Sequence, residues 1–532
     1  MSKEVAQLIT EAESSLKVEK YESFESPFKL AKNLISHNEF GFAGKILDKL
    51  VDQGLGTSEN KRKIALKRTL ATYKNPHLNR DTALDQALVV LSEAFDLEQT
   101  HNIEALGLAG AIYKRKWEVD GARNHLSLSA DYYLAGYKIW QIAREKAKNE
   151  DADVETKEAA NEGYYPAINA AFILDLLIHL DQTEKGHIDV MSPATIPRAE
   201  LAKKIRIEVI DALSPDYADK GSFQTDDYWA LGTLAEAAMG IQDFQSTKKW
   251  LAKAREVKRI PDWQYFSTAK QLARLAQIQS GRTLSGLELE QTDAWKALID
   301  FIGDNAIGLR TIFQGKVGLA LSGGGFRASL YHIGVLAKLA ELDLLRHIEV
   351  LSCVSGGSII GAHYYLEIRR LFDIDNESKK HDELTHEDYI KLVEKIADDF
   401  LDGVQKNLRM RVLANPFPNL RMLWSRTYSR TVRLGELYEK LIYSKINDNT
   451  ARGKRYIQDY TVKTPEQPES FEPRRHNWCR SSKIPELILN ATTLNSGHNW
   501  QFTTTWMGES PCLLYTSPSP RDATLSRMPS SA

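Results

Sequence analysis

Two short stretches of this chain carry residue types that could do chemistry. Residues 317–330 read VGLALSGGGFRASL: an apolar run, three glycines, then the opening of a helical pattern. Residues 348–361, IEVLSCVSGGSIIG, repeat that plan with Ser355 before Gly356 and Gly357. A backbone without side chains where a strand meets a helix offers N–H groups to something negative. That could be a phosphate, a dinucleotide or an oxyanion formed during a reaction. A phosphate loop is excluded, because no Gly-Lys-Ser/Thr follows the glycines. Gly323, Gly325 and Ala328 fit G-x-G-x-x-A, but a dinucleotide site wants an acidic residue ending the second strand, where Cys353-Val354-Ser355 stands. Taken together, the two turns point to acyl transfer. Ser355 has the setting of a nucleophile elbow, with Cys353, Gly356 and Gly357 as the small neighbours a tight turn needs. Gly323, Gly324 and Gly325 would supply oxyanion-hole N–H groups, each worth about 3–4 kcal/mol of barrier.

The elements around these turns read as strand 316–321, helix 327–342, strand 348–354 and helix 358–371. That succession predicts βαβ units and a parallel sheet. SGGGFRASLYHIGVLAKLAELDLL followed by VLSCVSGGSIIGAHY resembles the patatin-like phospholipases, and more distantly the cytosolic phospholipase A2 catalytic domain. PELILNATTLNSGHNWQFTT resembles the central strands of that domain. The resemblance spans about 315–508 and implies an α/β three-layer hydrolase domain, set here at 315–511. It implies a Ser–Asp dyad with Ser355 as nucleophile, Arg327 helping to hold the glycine loop, no metal or other cofactor, and a phospholipid or other acyl-ester lipid as substrate. Cys353 departs from the family, whose elbow has glycine there. The family's aspartate sits in a D-G-G/A motif expected beyond residue 511. Asp120-Gly121-Ala122 falls in a helix pair far upstream, and Asp402-Gly403 ends an amphipathic helix, IKLVEKIADDFLDG, so neither is assigned. His332 and His363 each sit within a helix after a motif and are expected to pack there rather than serve as a base.

The chain is 532 residues long, which calls for more than one domain. Residues 26–281 are periodic at three- and four-residue spacing with short breaks, which predicts helix hairpins. EALGLAGAIYKRKWEVDGARNHLSLSADYY (104–133) and WALGTLAEAAMGIQDFQSTKKWLAKAREV (229–257) share Ala-Leu-Gly, small residues along the first helix and alanine in the second. This pattern resembles tetratricopeptide repeats, whose small residues let helices stack closely and whose concave face takes a protein partner. Residues 1–25 form an N-terminal extension, and 282–314 a linker containing a helix.

NLRMRVLANPFPNLRMLWSRTYSRTVR (407–433) has six arginines, no acid, and aromatics among them. Arg421, Trp424, Arg426 and Tyr428 are candidate contacts to an anionic lipid surface; a solvated basic cover or a partner-binding loop fits equally. The net charge of −2 gives no reason to invoke nucleic acid, and no run approaches a membrane-spanning length. Three cysteines without metal spacing are consistent with a reducing, cytoplasmic setting, peripheral membrane contact included. The codons that would spell CLLYTSPSPRD (512–522) and SRMPSSA (526–532) resemble a sequencing adapter, so 512–532 is expected to be adapter-derived and the natural protein to be cut near Pro511. The leading reading is a serine lipid acyl hydrolase with a helical partner-binding domain, this chain being inactive for want of its aspartate. The alternative is a non-enzymatic helical scaffold with a vestigial hydrolase domain.

Overall fold

Packed helix pairs build the first half of the chain, and a five-stranded sheet organises the second. The computed structural model describes residues 3–75, 78, 80–148, 153–184, 196–258, 260–280, 291–303, 317–373, 384–406, 408–413, 416–425, 428–448, 455–465, 467–494, 497–504 and 507–509. The chain divides into two compact units, Met1–Asp304 and Asn305–Ala532. Arg426, the 512–532 tail and much of the expected linker lie outside the described residues.

The first unit runs α1 (Lys3–Lys17), α2 (Glu25–Ser36), α3 (Phe40–Asp52), α4 (Ser58–Lys74), α5 (Arg80–Ala94), α6 (Ile103–Asp120) and α7 (Arg123–Ala147). It continues through α8 (Val154–Glu162), α9 (Tyr164–Glu184), α10 (Ile196–Ala218), α11 (Asp227–Gly240), α12 (Phe244–Glu256) and α13 (Asp262–Ser280). The helix of the expected linker, Asp293–Ile302, packs on α12 and α13. The two related stretches form the pairs α6–α7 and α11–α12. Residues with positive φ reverse the chain between paired helices: Asn38 (65°), Gly121 (68°) and Gln242 (65°). Gly110 lets the partner helix approach, since a Cβ there would stand 2.8 Å from the buried Tyr133 ring.

Contrary to the sequence reading, one segment, Thr156–Gln182, is apolar and long enough to cross a membrane. Its apolar window is 72% buried inside the helical unit, so that composition serves the core. Helix α13 lies across the first helices of the earlier pairs. Trp263 Nε1 donates to the Ser36 carbonyl on α2 (3.4 Å), Lys74 of α4 stands 4.2 Å from the Trp263 ring centre, and Lys114 of α6 donates to Gln271 (2.9 Å).

The strands of the second unit are β1 (Val317–Leu321), β2 (Ile348–Val354), β3 (Val462–Thr464), β4 (Gln467–Phe471), β5 (Glu486–Thr492), β6 (Asn499–Phe502) and β7 (Met507–Glu509). The main sheet has the order β1-β2-β5-β6-β7, and β3 and β4 form a separate antiparallel pair. β1–β2 and β2–β5 are parallel, as expected, but β5–β6 and β6–β7 are antiparallel. The reason is length: residues 493–498 are too few for a crossover, and Thr493 N–H donates to the His498 carbonyl (2.9 Å) to close a hairpin. The helices after β1 and β2 span Gly325–Glu341 and Gly356–Phe372, beginning at the glycines themselves. Leu321, Leu336, Ile360, Tyr364 and Phe400 join them and the helix His386–Gln405 in one core.

Gly110→Val should lower the stability of the helical unit by about 1–3 kcal/mol through overpacking against Tyr133. Gly44→Ala, with nothing within 4 Å of the new methyl, should raise it by about 0.5–1 kcal/mol. Urea unfolding followed by far-ultraviolet circular dichroism measures both.

Candidate active site

The parallel pairing of β1 with β2 brings the two glycine turns to one edge of the sheet, at the carboxyl ends of adjacent strands. Leu321 pairs with Cys353, so each chain leaves the sheet at the same level. Ser355 follows with φ 52° and ψ −116°, a conformation that L-residues avoid and that costs of order 1–3 kcal/mol. Its side chain is exposed, with no described residue hydrogen-bonded to its hydroxyl. The strain is held by backbone packing. A Cβ on Gly356 would overlap the Gly325 carbonyl, and one on Gly357 the Leu321 carbonyl. The elbow helix can enter here only with hydrogens at both positions.

The first turn meets the serine directly. A Cβ on Gly323 would lie 3.1 Å from Ser355 Cβ and 3.7 Å from its Oγ. Gly324 (φ 138°) and Gly325 (φ 63°) take backbone conformations natural to glycine, and no side chain caps the helix that Gly325 begins. The first N–H groups of a helix have no partner within it, so they are open to a ligand. A strained hydroxyl beside such donors is an arrangement that can attack a carbonyl and hold the resulting oxyanion.

Three residues hold the turns in place: Ser329 and Asn490, which the sequence reading did not single out, and His332, which it expected to pack within its helix. Ser329, fully buried, donates to the Gly356 carbonyl (2.7 Å) and reaches that of Gly325 (3.2 Å), tying the loop helix to the elbow helix. His332 Nε2 contacts the Ser322 carbonyl (3.0 Å), at the root of the glycine loop. Asn490, beside Val354 in the β2–β5 register, donates to the Cys353 carbonyl (3.0 Å) and the Ser352 hydroxyl (2.9 Å). Its own carbonyl accepts from Asn499 (3.1 Å) and Gln501 (3.4 Å). A polar amide directly after the apolar run Leu487–Leu489 was the signal for Asn490; Ser329 gave none beyond its place four residues after Gly325.

Other expected residues stand as follows. Arg327 is exposed and bonded to no described residue; among the described residues Ser329 and His332 are the side chains bonded to the loop. Cys353 is buried against Gly361 in the core behind the elbow, where burial pushes its thiol up to about 12. His363 is fully buried two turns along the elbow helix, and burial pulls it down to about 4, so it is a neutral packing group. His363, Glu367 and Asp399 together have metal-ligand types. Lys395, however, already bonds both Glu367 and Asp399 (2.8 Å to the latter), and Arg370 bonds Glu367 (2.7 Å), so the seat of a cation is filled by an ammonium group. Asp402 is exposed in the last turn of its helix, paired with Lys406 and Lys445; Asp120 ends α6 in the other unit.

Of the candidate lipid-surface contacts, Trp424 is 81% exposed at the end of the helix Pro416–Trp424, beside exposed Leu420 and Phe417. Tyr428 is not on that surface. It is buried, its hydroxyl donates to Glu436 (2.8 Å), and the Arg421 guanidinium lies 4.3 Å from its ring centre, because stacking satisfies both side chains locally.

Two family models match the chain. Residues 39–174 match the Tetratricopeptide Repeats-Sensor family, and residues 319–504 match the patatin-like phospholipases. The first match contains the α6–α7 pair and stops short of α11–α12. No curated protein matches the chain. The chain thus combines a tetratricopeptide-type helical region with a patatin-like domain on a mixed sheet. The matches support a lipid acyl hydrolase in general, lipid as substrate, and protein interaction through the repeats.

A thiol held near pKa 12 is almost wholly protonated at pH 8 and out of solvent. Cys353 in the native chain should therefore alkylate with iodoacetamide about a thousandfold more slowly than a free cysteine. Peptide mass spectrometry of native and urea-unfolded samples reads this; equal labelling in both would show an open elbow.

Proposed function

We propose that the patatin-like domain of this chain is a serine carboxylic-ester hydrolase acting on acyl lipids, with Ser355 as nucleophile. The observation that carries the reading is the closeness of the glycine loop to a Ser355 held at φ 52°: even a methyl group on Gly323 would lie 3.1 Å from Ser355 Cβ. Ser355 Oγ adds to the acyl carbonyl as a base takes its proton. The charge on the former carbonyl oxygen is met by N–H groups of Gly323, Gly324 and Gly325, preorganised by the turn and so effective chiefly in the transition state. Collapse breaks the ester bond, and the leaving alcohol takes the proton. Water then adds to the acyl-serine and releases the fatty acid, regenerating the hydroxyl.

The resemblance assigns the base to an aspartate. No described carboxylate is bonded to Ser355, as expected if that aspartate lies beyond residue 511; a D-G-G/A motif there supports the hydrolase, and its absence from the intact gene the second reading, a helical scaffold around a vestigial hydrolase. Delivery of substrate is assigned to the exposed face carrying Leu420 and Trp424 with Arg421 nearby, which suits peripheral contact with an anionic membrane surface.

In a longer chain that supplies the aspartate implied by the resemblance, a fluorophosphonate should label Ser355 and fail to label Ser355→Ala, with unchanged circular dichroism. Equal labelling of both chains, or of neither, removes the assignment and leaves the scaffold. In an active preparation, Gly324→Val should lower kcat on a p-nitrophenyl acyl ester by about 10²-fold or more with little change in KM, since it removes a transition-state interaction. A change confined to KM would make the loop a ground-state binding element. Trp424→Glu should weaken sedimentation with phosphatidylserine vesicles and leave labelling of Ser355 intact.

A further inference from the structure

The inner face of the helical unit holds more positive charge than its carboxylates balance. Lys74 at the end of α4 and Lys114 and Arg115 on α6 are half-buried there, under α13. Lys74 has the Trp263 ring for company, and no carboxylate of a described residue is bonded to it. Lys114 donates to two neutral amides, Gln271 (2.9 Å) and Asn169 (3.4 Å). Arg115 donates to the Ala111 carbonyl of its own helix (3.1 Å) and lies over the Tyr73 ring at 4.8 Å.

Two acids stand nearby, and neither is free for these cations alone. Glu118 is paired with Arg80 (2.8 Å) and Lys270 (3.4 Å), and it is shared with Arg115 and Lys114. Glu236 accepts from the Gln271 amide (2.9 Å), and burial lifts it to about 7. The lysines show the cost of this arrangement. Burial first, then the charge of Arg115, pulls Lys74 down to about 7. Burial pulls Lys114 down to about 8, with Glu118 and Glu236 opposing and Arg115 and Lys270 adding to the fall. Like charges gathered out of water are stable when an anion sits among them.

We propose that Lys74, Lys114 and Arg115, beside Trp263 on the inner face of the helical unit, form a binding site for a small phosphate-bearing anion. Three separated cations exceed what one carboxylate can engage, and a guanidinium with two ammonium groups suits the several oxygens of a di- or polyphosphate. A peptide is disfavoured because α13 occupies the face along which an extended chain would run, bridging α2, α4 and α6. The chain's overall charge of −2 means that this concentration is local, not a by-product of a basic protein. The site does not depend on the hydrolase reading.

The test is thermal denaturation and calorimetric titration of the 532-residue chain at pH 6.5, with inorganic pyrophosphate, ATP and an acidic peptide as separate probes. Pyrophosphate or ATP should raise the melting temperature, and Lys74→Met should weaken binding at least tenfold. Lys74 makes no hydrogen bond to a described residue, so this variant should fold, which circular dichroism checks; Arg115→Met is the second variant. Lys63→Ala, at an exposed lysine of the same helix, should bind as the parent does. Retained binding by the ATP-loaded parent against none with pyrophosphate would place recognition on the nucleoside as well. No shift with either phosphate, an equal shift in parent and Lys74→Met, or Lys74-dependent binding of the peptide alone would overturn the proposal.

Discussion

The hydrolase unit depends on one contact that admits no side chain: the backbone of the elbow helix pressed against the backbone of the glycine loop. Gly356 touches Gly325 and Gly357 touches Leu321, each at a separation that a methyl group would violate. This contact fixes the angle at which the elbow helix leaves β2, and that angle forces Ser355 to positive φ. Strain of this kind persists where neighbours over-determine it. Here Ser329 reaches across from one helix to the carbonyl of the other, and Asn490 holds the Cys353 carbonyl from the adjacent strand. The serine is thus braced from both sides by groups that do not themselves reach the hydroxyl.

The mixed sheet follows from the same economy. The parallel strands β1, β2 and β5 carry the turns, because parallel neighbours end at the same edge and can present two loops to one point. β6 and β7 need only extend the sheet, and short hairpins suffice for that. β6 still contributes: Asn499 and Gln501 donate to the Asn490 carbonyl and so orient its amide toward β2. A hydrogen-bond chain thereby runs from an antiparallel strand to the residue two before the nucleophile.

Much of this was legible in the sequence, and the rest failed for identifiable reasons. The glycine turns were legible because close backbone approach requires glycine locally, at positions fixed relative to strand ends. The helix pairs were legible because a 3.6-residue period and a turn residue such as Gly121 act within a few residues. What escaped depends on contacts distant in the chain. Through Trp263 and Gln271 the α13 helix bridges residues 36, 74 and 114, and nothing in its own pattern announces that path. The burial of Tyr428 depends on Glu436 and Arg421, so an aromatic among arginines read as interfacial when it is internal. The apolar stretch within Thr156–Gln182 became interpretable only once its neighbours were seen to cover it.

Buried charge is treated in two ways in this chain, and the helical unit, where Arg206 meets Asp175, uses both. In the hydrolase unit, Asp448 meets Arg455 (2.9 Å) and Arg369 (3.5 Å), and Glu367 is held between Lys395 and Arg370. Each of these carboxylates has the cations it needs, so the pairs fasten the elbow helix to its surroundings and have no remaining valence for a ligand. On the inner face of the helical unit, Lys114 is met by neutral amides and Lys74 by an indole ring. Amides and rings soften a positive charge but do not cancel it. A charge that is cancelled belongs to the fold, because removing either partner leaves the other stranded. A charge that is only softened costs stability in the free protein and can recover it from an anion in solution, so ligand-free stability and ligand affinity are opposed at that site.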